Sequence, residues 1–311
     1  MSNSLDKFCD QKITAKGEER ASVDLIELST LWFNTGSICN LSCQNCYIES
    51  SPQNDRLSFI SVNDVKPFLA EINDLKLPTK LIGLTGGEPF ANPHILEIIS
   101  FILESGFEVL VLTNAFKVLK RHKEKLLLLK NSYSSKLNIR VSLDHYTREV
   151  HEGERGLNTF DETLRNILWL DQNGFSLSLA GRSLTKESNE FALEGYQQLF
   201  QTYKVSFKLV LGKNIVIFPE MDLIHNVPEI TTSCWGILSK SPKDQMCASE
   251  RMIIKKKNDD RLTVMPCTLL AYDSQFELGR TLSDSAKKVY LNHPFCAKFC
   301  VLGGASCSPK S

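Results

Sequence analysis

The chain has 311 residues, 42% of them hydrophobic and 23% charged, and its 36 Lys+Arg balance 36 Asp+Glu to a formal net charge of zero. A chain of this size and apolar content can bury a substantial core and suits one large domain with an appendage, while its charge balance gives no basis for a nucleic-acid or anionic-membrane partner. The first ten residues lack an apolar core and a small-residue cleavage pattern, and the run Leu126 to Leu129 is fenced by Lys125 and Lys130, so neither a signal peptide nor a membrane span is expected and the expected setting is cytoplasmic.

Extended apolar segments alternate with helical patterns, the mark of βα units around a mostly parallel sheet. The first predicted strand, 31–34, runs into Ser37-Ile-Cys-Asn-Leu-Ser-Cys-Gln-Asn-Cys-Tyr47, which sets Cys39, Cys43 and Cys46 in a CxxxCxxC loop. A closed zinc site takes four protein ligands, and a self-sufficient iron-sulfur cluster takes four cysteines, so a local triad leaves one coordination position for a small molecule. Thiolates suit a redox-active iron-sulfur core, and the plainer alternative is a zinc or disulfide loop.

Ser61 reads as the N-cap of a helix whose apolar face is Val65, Phe68, Leu69, Ile72 and Leu75. Strand 81–85 ends at Thr85-Gly-Gly-Glu-Pro89, where Gly86 and Gly87 let a ligand's polar group approach the main chain and Glu88 supplies an acceptor. A helix over 94–105, capped by Gly106, leads to strand 108–112 and to Asn114, then strand 138–143 to Ser142 and Asp144, which alternation places on one face. His145, Glu149, His151 and Glu152 follow in a polar loop and read as solvated or capping groups. Phe160, Leu164, Ile167 and Leu168 form a helical stripe closed by Asn173-Gly174, and strand 175–180 ends just before Arg182, a residue suited to a bidentate carboxylate or to a solvated loop. A sixth strand is expected near 206–211. These unusual residues fall at the carboxyl ends of the strands, where parallel α/β architectures bind ligands.

Ten cysteines in a leaderless chain of this length read as reduced metal ligands rather than a disulfide framework. Six fall in the last quarter: Cys234, Cys247, Cys267, Cys296, Cys300 and Cys307. Segments 252–255 and 262–265 flank the turn-forming Asn258-Asp-Asp260 and predict a β-hairpin that returns Cys247 and Cys267 to the same end. A short helix over 283–291 is expected next, leading through Pro294 to Cys296-Ala-Lys-Phe-Cys300.

CxxxCxxC followed by Tyr47 resembles the signature of radical S-adenosylmethionine (SAM) enzymes, Gly86-Gly87-Glu88-Pro89 resembles the GGEP motif of that family, and Ser142 with Asp144 resembles its SxD pattern. Thr113-Asn114-Ala115 is similar to the family's TNG, with Ala115 where the glycine would supply a positive φ. The resemblance implies a partial (β/α)6 barrel over 28–215, preceded by an extension over 1–27 and followed over 216–311 by a linker and a small cysteine-rich iron-sulfur domain. It implies a [4Fe-4S] cluster on Cys39, Cys43 and Cys46 whose open iron binds SAM, with Gly86, Gly87 and Glu88 holding the SAM amino group. Asn114, Ser142, Asp144 and Arg182 would complete the cofactor contacts.

The tail is similar to the twitch or SPASM auxiliary-cluster domains, although its closing pair is CxxxC rather than CxxC. That implies a second [4Fe-4S] cluster on Cys247, Cys267, Cys296 and Cys300, with Cys307 able to replace Cys300; four thiolates equally suit a structural zinc. Cys234 and Cys307 are left over as candidate hydrogen donors to a substrate radical, or as inert buried thiols. The activity implied is reductive cleavage of SAM to a 5'-deoxyadenosyl radical that abstracts hydrogen. The expected partner is a peptide or protein to be oxidised, crosslinked or epimerised, or alternatively a small molecule, with a low-potential electron donor such as flavodoxin or ferredoxin. A non-catalytic iron-sulfur or zinc protein is the reading from another class. Residues 1–27 are too short for a separate leader-peptide-binding domain, which keeps the small-molecule reading open.

Overall fold

The computed structural model describes residues 6–185, 187–220 and 227–304. Six strands, β2 (Thr30–Asn34), β3 (Leu81–Thr85), β4 (Glu108–Thr113), β5 (Leu137–Ser142), β6 (Ser176–Ser183) and β7 (Ile215–Pro219), lie side by side and parallel in chain order. They follow a two-stranded ribbon's first half, β1 (Ser22–Val23). Helices α1 (Val62–Asp74), α2 (Ile95–Glu104), α3 (Lys123–Tyr133), α4 (Arg148–Arg155), α5 (Thr159–Gln172) and α6 (Asn189–Thr202) fill the connections. The mostly parallel sheet expected from the βα alternation, and the partial barrel implied by the family resemblance, are the observed architecture.

Local chemistry explains the elements. Ser61 caps α1 in a reciprocal box with Asp64, and the stripe Val65, Phe68, Leu69 and Ile72 is buried, while Leu75 lies past the last turn and is exposed. On β2 the alternation is two-sided. Leu31 and Phe33 join the core between sheet and helices, and Trp32 joins the core on the concave side, where its indole N–H donates to the Glu250 carboxylate at 2.6 Å.

Two expectations fail. The sixth strand is Ile215–Pro219, not 206–211: Phe207 and Leu209 pack onto the outer core without a ladder, and Gly212, at φ +75°, turns the chain into the real strand. No helix forms over 283–291. Thr281 Oγ1 accepts from the Asp284 N–H, the Ser285 hydroxyl donates to the Leu282 carbonyl, and these local bonds hold turns instead; Val289–Tyr290 then forms β10, antiparallel to β1.

The tail is continuous with the barrel. β8 (Glu250–Lys255) lies parallel to β2, extending the sheet on that edge, and forms the predicted hairpin with β9 (Leu262–Met265), whose turn includes Asn258 at φ +63°. The boundary expected at 215 falls on the first residue of β7. Ala21 and Val23 are buried in the same core as the tail, and Arg20, itself buried, pairs with Glu229 at 2.6 Å. Among the described residues, no helix is long and apolar enough to cross a membrane.

Candidate metal centre

Because β2 and β3 run in register to Asn34 and Thr85, the loops that follow them leave the sheet together. The cysteine loop is closed at its root by hydrogen bonds from the Cys39 N–H to the Ser51 carbonyl (3.1 Å) and from the Ser37 N–H to the Leu57 carbonyl (3.1 Å). Gly87 N–H donates to the Gly36 carbonyl (2.8 Å) and Glu88 N–H to the Ile38 carbonyl (3.1 Å). A Cβ at residue 86 would stand 2.5 Å from the Gly36 oxygen, and one at 87 would stand 2.2 Å from the Ile38 oxygen. The glycine pair thus admits the chain's own cysteine loop, and Gly86 takes φ +136° to do so.

Cys39, Cys43 and Cys46 line one cleft together with Gly86, Gly87, Asn114, Ser142, Asp144 and Arg182. Backbone N–H groups already point at two of the sulfurs, Leu41 N–H at Cys39 (3.4 Å) and Ser50 N–H at Cys46 (3.3 Å). Burial, reinforced by the Glu88 carboxylate, pushes the Cys39 thiol up to about 12, and burial also raises Cys43. Such thiols become thiolates only beside a strong positive charge, which a metal supplies. Among the described residues, no three His, Cys, Asp or Glu groups converge on a point as a single ion requires. Three thiols on one cleft wall suit an iron-sulfur cluster, which takes thiolate ligands on separate iron atoms.

Glu88 lies behind this wall. Its carboxylate is buried and accepts from the Phe90 N–H (3.0 Å), the Thr113 hydroxyl (2.8 Å) and the Asn114 N–H (2.8 Å), tying the ends of β3 and β4 together. Burial lifts it to about 7 against those three bonds. Asn114 then reaches the cysteine loop, donating to Asn40 Oδ1 (3.0 Å) and to Cys39 Sγ (3.6 Å). Ala115, which stands where the family's glycine would supply a positive φ, adopts φ +52° all the same: its N–H donates to Thr113 Oγ1 (2.9 Å), and its carbonyl accepts from Asn166 (2.7 Å).

Ser142 and Asp144 share a face as alternation requires, and both line the cleft. Asp144 is held bidentately by Arg155 (2.7 and 2.9 Å) and approached by Arg182 Nε (3.5 Å). Burial alone would raise its carboxyl, but the two guanidiniums overcome it and hold Asp144 at about 2. Arg182 also donates to the Asn45 carbonyl (2.7 Å) and the Glu154 carboxylate (3.0 Å), and its guanidinium sits 4.5 Å over the Tyr47 ring. Glu154 in turn accepts from the Asn45 N–H and side chain, both at 2.8 Å. Glu154, not anticipated, thus clamps the cysteine loop from α4, and Arg155, also not anticipated, fixes Asp144. The signal available was their position six and seven residues past Arg148, the start of that polar helix, but nothing local tells a clamp from a solvated face. His151 and His145 are buried and line no part of the cleft.

In the tail, Cys247, Cys267, Cys296 and Cys300 line a second, apolar pocket with Gln245, Met246 and Leu270. Cys296 and Cys300 sit on a π-helix, Cys296–Leu302, whose wide turn puts both thiols on the same pocket. Burial pushes Cys247 and Cys267 up to about 12 and Cys296 well above its ordinary value. These four also do not converge on a single ion. Cys234, on the four-residue helix α7 (Cys234–Ile237), accepts from the Thr231 N–H at 3.4 Å and lines neither cavity. Cys307 lies outside the described residues.

One segment divides the two cavities. Cys267 and Leu270 line the tail pocket, while Thr268 and Leu269 between them line the cleft. Tyr47, next to Cys46, packs edge-on against Phe299 at 5.9 Å, which lies between Cys296 and Cys300.

The sequence profile of the radical SAM superfamily matches residues 33–190, half of the chain. The antilisterial bacteriocin subtilosin biosynthesis protein AlbA of Bacillus subtilis strain 168 is 36% identical over 143 residues, 46% of this chain and 30% of AlbA. An AdoMet-dependent heme synthase of Methanosarcina barkeri is 26% identical over 160 residues, 50% of this chain and 44% of the synthase. The chain spans less than half the length of both relatives. Streptococcus suis SuiB, solved with its precursor peptide SuiA, superposes with a TM-score of 0.59 at 13% identity, over 90% of this chain and 67% of SuiB, a likeness of fold.

Proposed function

The chain belongs to the radical SAM superfamily, whose members bind SAM and a [4Fe-4S] cluster, and from that premise we propose that it is an enzyme that oxidises, crosslinks or epimerises a peptide or protein. The observation that carries this reading is the convergence of Cys39, Cys43 and Cys46 with Gly86, Gly87, Asn114, Ser142, Asp144 and Arg182 on one cleft at the strand ends. When bound, the cluster and SAM supply a 5'-deoxyadenosyl radical able to take hydrogen from an unactivated carbon.

The chain's own residues would do the rest. Cys39, Cys43 and Cys46 hold the cluster, and the Leu41 and Ser50 N–H groups on their sulfurs stabilise its negative charge. Gly86 and Gly87 leave main-chain polar groups open to the SAM amino group, while Glu88 acts through position, fixing Asn114. Asp144 is already neutralised, so Ser142 and the remaining donors of Arg182 are the groups free to meet the SAM ribose and carboxylate. Leu112, Ala180, Phe218 and Leu269 give the cleft its apolar side, which keeps water from the reacting carbon.

The tail pocket supports an auxiliary [4Fe-4S] cluster on Cys247, Cys267, Cys296 and Cys300, since these four thiols, three of them buried and Cys300 half-buried, share one apolar cavity. A low-potential donor such as flavodoxin or ferredoxin would supply electrons. A peptide substrate is favoured by the 36% identity to a bacteriocin biosynthesis protein, and a small-molecule substrate remains the second reading because of the heme synthase match. Cys234 and Cys307 are retained as hydrogen-donor candidates, the former now the weaker for standing outside the cleft.

The test is anaerobic reconstitution with iron and sulfide, addition of dithionite and SAM, and chromatography of 5'-deoxyadenosine. Formation that vanishes in the Cys39→Ala/Cys43→Ala/Cys46→Ala variant is expected. Equal formation by that variant would refute the assignment.

A further inference from the structure

Arg251, on β8, is a fully buried guanidinium whose five N–H groups all end on backbone carbonyls. Nε donates to Ser285 (3.1 Å), one terminal nitrogen to Ser285 and Lys287 (3.0 and 3.4 Å), and the other to Cys247 and Glu250 (2.7 Å each). Its hydrogen bonds are complete, yet its charge is not balanced. Among the described residues no carboxylate pairs with it, and the Glu250 carboxylate, on the other face of the strand, takes the Trp32 indole N–H. A buried charge of this kind is costly unless an opposite charge lies near it in the low-dielectric interior.

The nearby groups able to provide one are thiols. Arg251 holds the carbonyl of Cys247 directly; burial disfavours its charge, and the ionisable groups that would offset this are the Cys247 and Cys267 sulfurs once they are thiolates. Four thiolates around a [4Fe-4S] core carry a net negative charge that deepens on one-electron reduction. We propose that Arg251 is the counter-charge of the tail pocket, favouring the more negative, reduced state of the group held there and so raising its reduction potential. Arg251 lines neither cavity and acts through position and charge alone. The inference rests on the auxiliary-cluster reading above.

The test uses the full chain with Cys39, Cys43 and Cys46 replaced by Ala, so that the tail group is the only one observed, reconstituted anaerobically and titrated potentiometrically by electron paramagnetic resonance. About four irons per chain are expected in this background. Arg251→Met and Arg251→Gln should lower the midpoint potential, and Arg251→Lys should stay close to the parent. An unchanged midpoint in an iron-loaded neutral variant overturns the proposal. If both neutral variants fold but take up no iron, uptake by Arg251→Lys supports the need for charge, and equal failure by Arg251→Lys overturns it. Absence of iron in the parent background refutes the auxiliary cluster itself, an outcome distinct from an unchanged midpoint.

Discussion

Asp144 and Glu88 are both buried carboxylates of the same cleft region, and their surroundings drive them in opposite directions. Asp144 falls from an ordinary 3.8 to about 2 because Arg155 and Arg182 outweigh its burial. Its contribution to stability, on the order of 2 kcal/mol, is therefore full above about pH 4 and is lost as pH falls through about 2. Glu88 rises from 4.5 to about 7, so its contribution is full below 4.5 and is lost as pH rises through 7. Urea titration of the metal-free chain should show both slopes. Replacing Glu88 by Gln, which cannot ionise, should flatten the upper slope; an upper slope equal to wild type's would contradict its assignment to Glu88. Arg155→Met should cost about 3–5 kcal/mol by stranding Asp144, read as a loss of midpoint in the same titration. At this scale the thiols and the glycine pair were legible, since their spacing is local. Glu154 was not, because its partner Asn45 arrives from over a hundred residues away, and Arg155 was not, because its pairing with Asp144 depends on how the chain turns from β5 into α4.

The elements read from alternation and capping hold where one physical signal dominates: strand 81–85, the Ser61 cap and the hairpin of β8 with β9 match within a residue or two. They fail where two signals compete. Residues 206–211 alternate like a strand but spend their apolar side chains on the outer core, and 283–291 loses a helix to Ser and Thr bonds with the backbone. Ala115 is the opposite case, a residue without the freedom of glycine held at φ +52° by neighbours that accept and donate around it. Ala115→Gly should change stability by less than about 1 kcal/mol, since relief of the left-handed strain offsets the lost methyl. Ala115→Val should cost about 2 kcal/mol or more, from a branched side chain in a fully buried site. Thermal melts of the two variants check this, and equal losses would show that conformation is not what limits the position.

Across the whole molecule, the βα order was enough to foresee the parallel sheet, and the motifs' family resemblance its barrel form, but not that β8 and β9 would rejoin that sheet, or that residues 20–23 would be built into the tail's core. Iron content tests the two-pocket arrangement: about eight irons per chain are expected after anaerobic reconstitution, falling to about four in the triple alanine variant, and four irons with one zinc in the intact chain would contradict it. The segment from Cys267 to Leu270 is shared by both cavities, its ends on one and its middle on the other. Such a shared wall cannot be lengthened: an inserted residue would pull a thiol out of one cavity or push a side chain across the other. Remodelling the cleft for a new guest is therefore confined to exchanging side chains at Thr268 and Leu269, and a designer who inserts or deletes here should lose iron before gaining selectivity.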